Sequence, residues 1–221
     1  MKNIFLAIFL ISAFNAVGQN HLVGAKVGIN LANINESDFL NQHDNRTGLY
    51  TGLSYRYLSK KHFTAGAELI YNQRGFRSDI LTADEFGNPS DENYKSKFNY
   101  NYLSLPIKAG VNIGNKSYGF ANFGIVPSLL IKANIIGPDF DSNGDYIGEE
   151  TFNVTDRVSK FDFAGLVEIG GGYKFEEGYS LFTSIAYQYS FTSITNSEYF
   201  ANSKVTHYGI ALTIGVEVAL K

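Results

Sequence analysis

The sequence predicts an all-β protein that crosses a membrane as an eight-stranded antiparallel β-barrel. Three observations support this fold class. Apolar and polar residues alternate along eight long segments, tight turns and long polar connections alternate between those segments, and the apolar residues of each segment share one face. The segments are about twice as long as the five or six residues of an ordinary soluble strand. That length is enough to cross a bilayer at a tilt.

An N-terminal leader comes before the first of these segments. Lys2 provides a basic start, an apolar run follows, and the small residues Ala16 and Gly18 precede the expected cleavage point. This arrangement is typical of a secretory signal peptide, which we place at residues 1–18. The remaining residues, 19–221, suit a single barrel domain. No later segment has the roughly 18 apolar residues of a membrane-spanning helix.

Eight strands are predicted in the mature part of the chain. They are Val23–Ala32, Gly48–Leu58, Phe63–Arg77, Phe98–Ile113, Tyr118–Ala133, Lys160–Phe175, Tyr179–Thr192 and Lys204–Leu220. Three of the connections are tight turns, at Ser59–His62, Gly114–Ser117 and Glu176–Gly178. Four are long and polar, at Asn33–Thr47, Ser78–Lys97, Asn134–Ser159 and Ser193–Ser203. This alternation is typical of an outer-membrane barrel with short periplasmic turns and long outer loops.

The two faces of the strands can be separated by their alternation. In the last strand Ile210, Leu212 and Ile214 fall on one side, and Gly209, Ala211 and Thr213 on the other. The first side suits lipid and the second a barrel interior. Aromatic residues are predicted to form two girdles at the membrane interfaces. The first contains Tyr55, Tyr57, Phe63, Tyr118, Tyr173, Phe175 and Tyr179, and the second Tyr71, Tyr100, Tyr102, Phe161, Phe163, Tyr187, Tyr189 and Tyr208.

Eight charged residues are predicted to face inward and to form an interior charge network. They are Lys26, Arg56, Arg74, Lys108, Glu68, Asp162, Glu168 and Glu217. An eight-stranded barrel is just wide enough for side chains to fill, and an unpaired charge inside it would be costly. We therefore expect the opposite charges to pair and to plug the barrel. A proton relay or a conducting pore is the less favoured alternative.

The sequence does not favour catalysis, although a few of its residues have the chemistry of an active site. An inward His207 near the outer rim, with a loop serine such as Ser193 or Ser203, is the conceivable base and nucleophile. No serine lies in a nucleophile-elbow pattern. The glycine run Gly170–Gly172 suggests a phosphate loop, but no helix follows it. It is more simply explained by curvature of the barrel wall. We expect the protein not to be an enzyme.

An acidic stretch, "DFDSNGDYIGEE", has the spacing of a calcium-binding loop. The candidate ligands are Asp139, Asp141, Asn143, Asp145 and Glu150. Its β-branched and proline-containing flanks exclude the two helices of a calcium sensor. The alternatives are a weak surface calcium site and a polar turn whose Asp, Asn and Gly residues suit a tight bend. The turn is favoured, and no other cofactor is expected.

Several longer motifs resemble a known family. They are "VGAKVGINLANI", "FTAGAELIYNQRGF", "YNYLSLPIKAGV", "FDFAGLVEIGGGYKF" and "HYGIALTIGVEV", and together they cover most of the mature chain. With them the sequence resembles the PorT-like outer-membrane β-barrel proteins of Bacteroidetes, often labelled porin family proteins. The resemblance implies an outer-membrane barrel without an assigned reaction. One branch of that family is linked to type IX secretion and gliding.

Composition limits the compartment and the partners. The chain contains no cysteine, which excludes a lipoprotein anchor and a disulfide framework, and its net charge of −3 argues against nucleic acid as a partner. We expect a monomer in the cell outer membrane, with outer-membrane lipid, lipopolysaccharide and the barrel-assembly machinery as partners. Its expected role is structural or surface-binding. The alternatives are an enzyme acting on lipid or peptide at the outer rim, and an accessory barrel of a type IX-like secretion system.

Overall fold

The structure, a computed structural model, describes residues 21–36, 43–59, 62–83, 89–142, 144–175, 178–195 and 204–220. The signal peptide expected at residues 1–18 lies outside them. The described residues form ten strands: β1 His21–Glu36, β2 His43–Leu58, β3 Phe63–Ala83, β4 Pro89–Ser104, β5 Ile107–Gly114, β6 Ser117–Phe140, β7 Tyr146–Asn153, β8 Phe161–Lys174, β9 Tyr179–Ser190 and β10 Val205–Ala219. A short 3-10 helix, Thr155–Arg157, precedes β8. No helix in the described part of the chain is long and apolar enough to span a membrane.

The strands close into a ring of eight wall positions, which confirms the predicted fold class. Each wall strand pairs antiparallel with its neighbours in the chain, and β1 closes the ring by pairing with β10 from Leu22 opposite Ala219 to Glu36 opposite Val205. Strands β4 and β5 occupy one wall position between β3 and β6. Within the described part of the chain, strand β7 pairs with the end of β6 and with no other strand. Closure leaves no unpaired edge in the ring, as a lipid environment requires.

The fourth predicted strand is interrupted, which corrects the continuous span Phe98–Ile113. Residues Leu105 and Pro106 separate β4 from β5, because proline has no backbone N–H to donate to the ladder. The wall is not broken there. The carbonyl of Pro106 accepts a hydrogen bond from the Glu68 backbone N–H at 2.9 Å, and the Leu105 N–H donates to the Pro127 carbonyl at 2.9 Å.

Three of the predicted long loops consist largely of strand, so those loop assignments were wrong. Strands β3 and β4 continue into the predicted loop Ser78–Lys97, and β6 with β7 forms a hairpin inside Asn134–Ser159. The loop Asn33–Thr47 likewise holds the ends of β1 and β2. Beyond a bilayer both faces of a hairpin contact water, so the apolar alternation stops while backbone pairing continues. We call this end of the barrel the hairpin end and the other the turn end.

The two faces of the wall agree with the predicted separation. Outward residues form a broad exposed apolar band that includes Val27, Leu53, Leu69, Ile107, Phe123, Val167, Ile185, Ile210, Leu212 and Ile214. Two outward hydroxyls in this region donate to backbone carbonyls of neighbouring strands, Thr51 to Lys26 at 3.0 Å and Thr183 to Thr213 at 2.9 Å. Their polarity is thereby satisfied without water, as burial in lipid requires.

The aromatic girdles are only partly as predicted. At the turn end, Tyr55, Tyr57, Phe63, Tyr173, Phe175 and Tyr179 are exposed on the outer face. Three other assignments were wrong, because Tyr118, Tyr100 and Tyr102 are buried inside the barrel. Strict alternation explains two of them: Tyr100 and Tyr102 have the same parity as the buried Ser104, whereas Leu103, between Tyr102 and Ser104, is exposed on the outer face.

Candidate functional site

Four of the predicted interior charges meet at the centre of the barrel. Lys108 Nζ lies 2.6 Å from Glu68 Oε1 and 2.6 Å from Glu168 Oε2, and Lys26 Nζ lies 2.7 Å from Glu68 Oε2 and 3.6 Å from Glu168 Oε1. Each carboxylate therefore contacts both ammonium groups. The cluster joins strands β1, β3, β5 and β8, so it ties opposite walls together across the lumen.

Uncharged side chains complete the coordination of Glu168. The Asn122 amide donates to Glu168 Oε2 at 2.9 Å, and the Ser184 hydroxyl donates to Glu168 Oε1 at 3.0 Å. Ser184 also lies 2.8 Å from the Thr213 hydroxyl. Buried charges are tolerated when their remaining lone pairs are satisfied in this way. The cluster is therefore a connected network and not a pair of isolated bridges.

A second ion pair lies nearer the hairpin end. Arg74 Nη1 lies 2.6 Å from Asp162 Oδ2, and both side chains are buried. The Asp162 carboxylate also accepts hydrogen bonds from Ser190 at 3.0 Å and from Thr192 at 2.7 Å. The Arg74 guanidinium carbon lies 5.0 Å from the centre of the Tyr102 ring. This layer crosses the barrel between β3 and β8.

Polar side chains that the sequence analysis did not single out connect the two layers. The Asn30 amide donates to Asn72 at 2.8 Å, and the Gln188 amide donates to the Tyr50 hydroxyl at 3.2 Å. Gln188 also accepts from Arg74 at 3.3 Å. All four uncharged residues are buried. They face inward by their parity on the predicted strands, which is a signal present in the sequence. The prediction of an interior network considered charged residues alone and therefore missed them.

The remaining predicted pair lies toward the turn end. Arg56 and Glu217 form an ion pair between β2 and β10, and the guanidinium lies 5.6 Å from the ring centres of both Tyr118 and Phe120. A cation over aromatic faces gains additional attraction when shielded from water. All eight predicted network residues are thus inside the barrel, and each has an oppositely charged partner.

Glycines on the inner wall make room for these aromatic rings. A Cβ built on Gly170 would lie 2.3 Å from Phe120 Cζ, and one on Gly172 would lie 2.5 Å from the Tyr118 hydroxyl. Both distances are shorter than any real contact of a methyl group. Wall curvature, which the sequence favours, is therefore not the whole explanation of the glycine run. The structure shows that two of its three residues provide space for packed rings.

The packed interior leaves little free volume around the central cluster. A cavity lined by Arg56, Glu68, Lys108, Glu168 and Glu217 measures about 30 Å³, which is room for about one water molecule. Above and below it lie buried side chains, including Ile70, Val126 and Leu166 toward the hairpin end and Phe120 and Phe182 toward the turn end. The lumen is occupied by side chains at this level.

No hydrogen bond joins His207 to Ser193, the one candidate serine among the described residues. His207 is fully buried, and its ring packs edge-on against Tyr100, with centres 5.0 Å apart, and against Tyr102, with centres 5.9 Å apart. The Ser193 hydroxyl lies 2.7 Å from the Thr195 hydroxyl and 3.2 Å from the Val205 backbone N–H, which donates to it. Ser203 lies outside the described residues.

The acidic stretch forms the turn of the β6–β7 hairpin. The Asp141 carboxylate accepts a hydrogen bond from the Asp145 backbone N–H at 2.9 Å, and Gly144 has a φ of +86°, which favours glycine. Asp139 pairs with Gly148 and Glu150 with Gly137 in the ladder. Asn143 lies outside the described residues. Among the residues that the structure describes, no three His, Cys, Asp or Glu side chains are grouped to hold a metal ion.

Comparisons with known proteins agree with this architecture. The model of a family described as outer membrane protein beta-barrel domain matches residues 17–196. Among solved structures, the chain is similar to Neisserial surface protein A, at 16% identity over 90% of this chain and 97% of that chain, with a TM-score of 0.47.

Two further structures are similar at lower identity. The attachment invasion locus protein Ail of Yersinia pestis is 12% identical over 90% of this chain and 99% of that one, with a TM-score of 0.42. The outer membrane protease OmpT from Escherichia coli is 10% identical over 94% of this chain and 100% of that one, with a TM-score of 0.45. No curated protein matches the sequence. The family match covers most of the chain and places the protein in the outer membrane.

Proposed function

Because the chain belongs to the outer membrane protein β-barrel domain family, we propose that it is a closed, non-catalytic barrel whose hairpin end faces the cell exterior and makes binding contacts there. The observation that carries this proposal is the ion-paired interior. Four cationic and four anionic side chains balance one another in three layers between the two ends. A continuous water path would require these layers to separate, which is costly for buried pairs.

The hairpin end has the features of a contact surface. Strands β3, β4, β6 and β7 extend beyond the apolar band and expose both polar and apolar side chains on paired backbone, so they form a structured projection. Surface ion pairs join the hairpins: Lys97 Nζ lies 2.7 Å from Glu149 Oε1, and Lys95 Nζ lies 2.5 Å from Asp44 Oδ2. Paired hairpins present a contact surface with less ordering cost than free loops.

Electrical conductance tests whether the barrel is closed. Purified protein inserted into a planar lipid bilayer is expected to produce no discrete ion-conducting steps. An Arg56→Ala/Glu217→Ala double variant, which removes the layer nearest the turn end, is expected to remain silent because the central cluster still blocks the lumen. Reproducible channel openings by the unmodified protein at low voltage would contradict a closed barrel.

Site-specific labelling tests the orientation. Because the natural chain contains no cysteine, an introduced cysteine is its single site of labelling. A cysteine at Ser142, in the exposed turn of the β6–β7 hairpin, is expected to react with a membrane-impermeant maleimide on intact cells. A cysteine at Asn115, in the exposed turn between β5 and β6, serves as the matched control and is expected to react only after lysis. The reverse pattern would show that the hairpins face the periplasm.

We propose a non-catalytic barrel because of the surroundings of the two candidate catalytic residues, His207 and Ser193. His207 packs against two tyrosine rings in the interior, and the Ser193 hydroxyl is hydrogen-bonded to Thr195 and to the Val205 backbone. An enzyme acting on lipid or peptide at the rim would need them accessible together. A loss of hydrolytic activity in His207→Gln with unchanged folding would overturn the non-catalytic assignment.

The finer identity comes from the sequence resemblance. We place the chain with the PorT-like barrels of Bacteroidetes, with a signal peptide at residues 1–18, and expect a monomer in lipid and lipopolysaccharide that is inserted by the barrel-assembly machinery. A weak calcium site at the hairpin turn and a type IX-like secretion role are the subordinate alternatives. Deletion that abolishes export of secreted proteins would favour the secretion role.

A further inference from the structure

A second, larger cavity lies inside the hairpin end of the barrel. Its volume is about 320 Å³, roughly ten times that of the cavity beside the central cluster. Its buried apolar lining comes from β1, β3, β4, β10 and the segments before β8 and after β9: Ile34, Phe76, Tyr100, Val158, Ile194 and Val205. These residues also form one packed cluster. The cavity therefore belongs to the folded interior and not to the lipid-facing surface.

The cavity is closed toward the membrane centre. Tyr100 forms part of its wall, and the His207 ring packs against Tyr100 with centres 5.0 Å apart. Below them lie Tyr102 and the Arg74–Asp162 ion pair. A molecule that enters the cavity meets packed side chains beyond it. The geometry is that of a binding pocket and not of the entrance to a channel.

The segment from Val154 to Ser159, which forms one side of the cavity, is held in place by backbone hydrogen bonds. The Val154 N–H donates to the Ala133 carbonyl at 3.0 Å, and the Ser159 N–H donates to the Ile194 carbonyl at 2.8 Å. Val158 also forms an isolated antiparallel β-bridge with Thr195. This part of the wall is thus tied both to β6 and to the chain after β9. A pocket formed before a ligand arrives avoids the cost of ordering its walls.

The wall favours an apolar, flat ligand. The rings of Phe76 and Phe98 stack with centres 4.3 Å apart and an interplanar angle of 7°. Most of the side chains that line the cavity are apolar, so water inside it has few hydrogen-bond partners, and an apolar molecule that displaces such water gains free energy. The volume is about twice that of the roughly 150 Å³ apolar cavity known to hold one benzene ring, which suits two rings.

The charges at the cavity favour an uncharged ligand. Arg157 and Glu36 both border it and carry opposite formal charges. Glu36 lies 3.5 Å from His43 Nε2. The border therefore has no strong net charge that would select an anion or a cation. Polar groups at the border and apolar residues deeper inside are the common arrangement of small-molecule pockets in the mouths of barrels.

We propose that this cavity is a binding site for a small, uncharged, aromatic molecule of about two fused rings, which enters from the hairpin end. The proposal rests on the exterior binding role proposed above for that end, and it adds a ligand class and a site. It is independent of whether the barrel conducts ions. Failure of ligand binding would leave the closed-barrel proposal intact, and a conducting barrel would leave the pocket intact.

Contact quenching of a single tryptophan tests the proposal, because the natural chain contains no tryptophan. Phe98→Trp places the reporter in the pocket wall, and the protein is reconstituted in phosphatidylcholine vesicles to avoid detergent tails. The probe is 1-bromonaphthalene, whose bromine quenches tryptophan only at close range. Phe123→Trp, on the exposed outer face, is the matched control for probe dissolved in the bilayer.

The expected result is saturable quenching of the reporter at residue 98, reversed by excess unbrominated naphthalene. Adding Val205→Phe or Ile34→Phe fills the pocket. Each is expected to raise the probe concentration at half-saturation at least tenfold. The control at residue 123 is expected to show quenching that rises linearly with bilayer concentration. Any of three results would overturn the proposal. They are linear quenching at both positions, no quenching at residue 98, and saturation that neither filling variant changes in folded protein.

Discussion

The guanidinium of Arg74 and the carboxylate of Asp162 are joined across the lumen, with Nη1 and Oδ2 2.6 Å apart. Their strands, β3 and β8, are not neighbours in the wall, since β4 and β6 lie between them. The pair therefore fixes the distance between opposite walls, which backbone pairing alone does not specify. The same principle applies to the central cluster, whose two lysines each contact both glutamates.

Removal of Arg74 is expected to destabilise the barrel strongly. Arg74→Met leaves Asp162 buried without its cation, and the free energy of unfolding is expected to fall by about 3–5 kcal/mol. Urea unfolding from lipid vesicles, followed by circular dichroism, measures this change. The double variant Arg74→Met/Asp162→Leu removes both charges and is expected to recover most of the loss. Equal stability of Arg74→Met and the unmodified protein would show that the pair contributes nothing.

The inner-wall glycine Gly170 is expected to tolerate no side chain. In Gly170→Ala the new methyl group would lie 2.3 Å from Phe120 Cζ and 2.5 Å from the Thr183 carbonyl oxygen. Overpacking of this kind costs about 1–3 kcal/mol, measured by the same urea unfolding. Gly119→Ala on the outer face, whose nearest neighbour would lie 3.8 Å away, is the control and is expected to be near neutral. Similar losses in both variants would show that contact with Phe120 is not the cause, because the entropy effect of Gly→Ala on the unfolded chain is stabilising.

The carboxyl group of Asp44 is expected to titrate below its ordinary range. A hydrogen bond and the charge of Lys95 hold the pKa of Asp44 below its ordinary value of 3.8. A lowered folded-state pKa means that the pair stabilises the protein above the unfolded pKa. That contribution is lost as the pH falls through the folded pKa.

Carboxyl NMR titration measures this shift directly. In Lys95→Met the pKa of Asp44 is expected to rise toward 3.8. High salt is expected to shift it in the same direction, because both side chains are largely exposed. Asp79→Asn is the control, and its effect on the pKa of Asp44 is expected to be smaller. It removes the longer contact, 3.4 Å between Lys95 Nζ and Asp79 Oδ1, and leaves the closer contact with Asp44 in place. An unchanged titration in Lys95→Met would show that the pair does not form in solution.

Calcium is expected to bind the acidic hairpin turn too weakly to detect at micromolar concentrations. The Asp141 carboxylate already accepts a hydrogen bond from the Asp145 backbone N–H, and strand pairing fixes the backbone of Asp139 and Glu150 in the hairpin. Calorimetry with refolded protein is expected to show only heat of dilution. A saturable heat that disappears in Asp139→Ala would contradict this and establish a site.

Much of the fold could be predicted because one face of each strand meets lipid. The alternation of Ile210, Leu212 and Ile214 with small or polar neighbours identified β10 and its outward face, and the structure agrees. The extension of β6 to Phe140 and its pairing with β7 could not be predicted. Both faces of that hairpin meet water, so no apolar period distinguishes it from a loop. Tyr118 was assigned to a girdle because its place near a turn does not reveal which face it occupies.

The inward charges were recognisable from parity alone, since Lys26, Glu68, Glu168 and their counterparts lie at alternate positions of predicted strands. Parity does not reveal which charges become partners. Lys26 contacts Glu68 and Glu168, which are far apart in the sequence, because the tilt and closure of the wall set which side chains share a layer. The cavity between Phe76, Val158 and Val205 was equally hidden. The fold class, the wall strands and their faces depend on local alternation and can therefore be predicted from sequence, whereas the pairing of charges and the shape of the free space depend on distances across a closed ring.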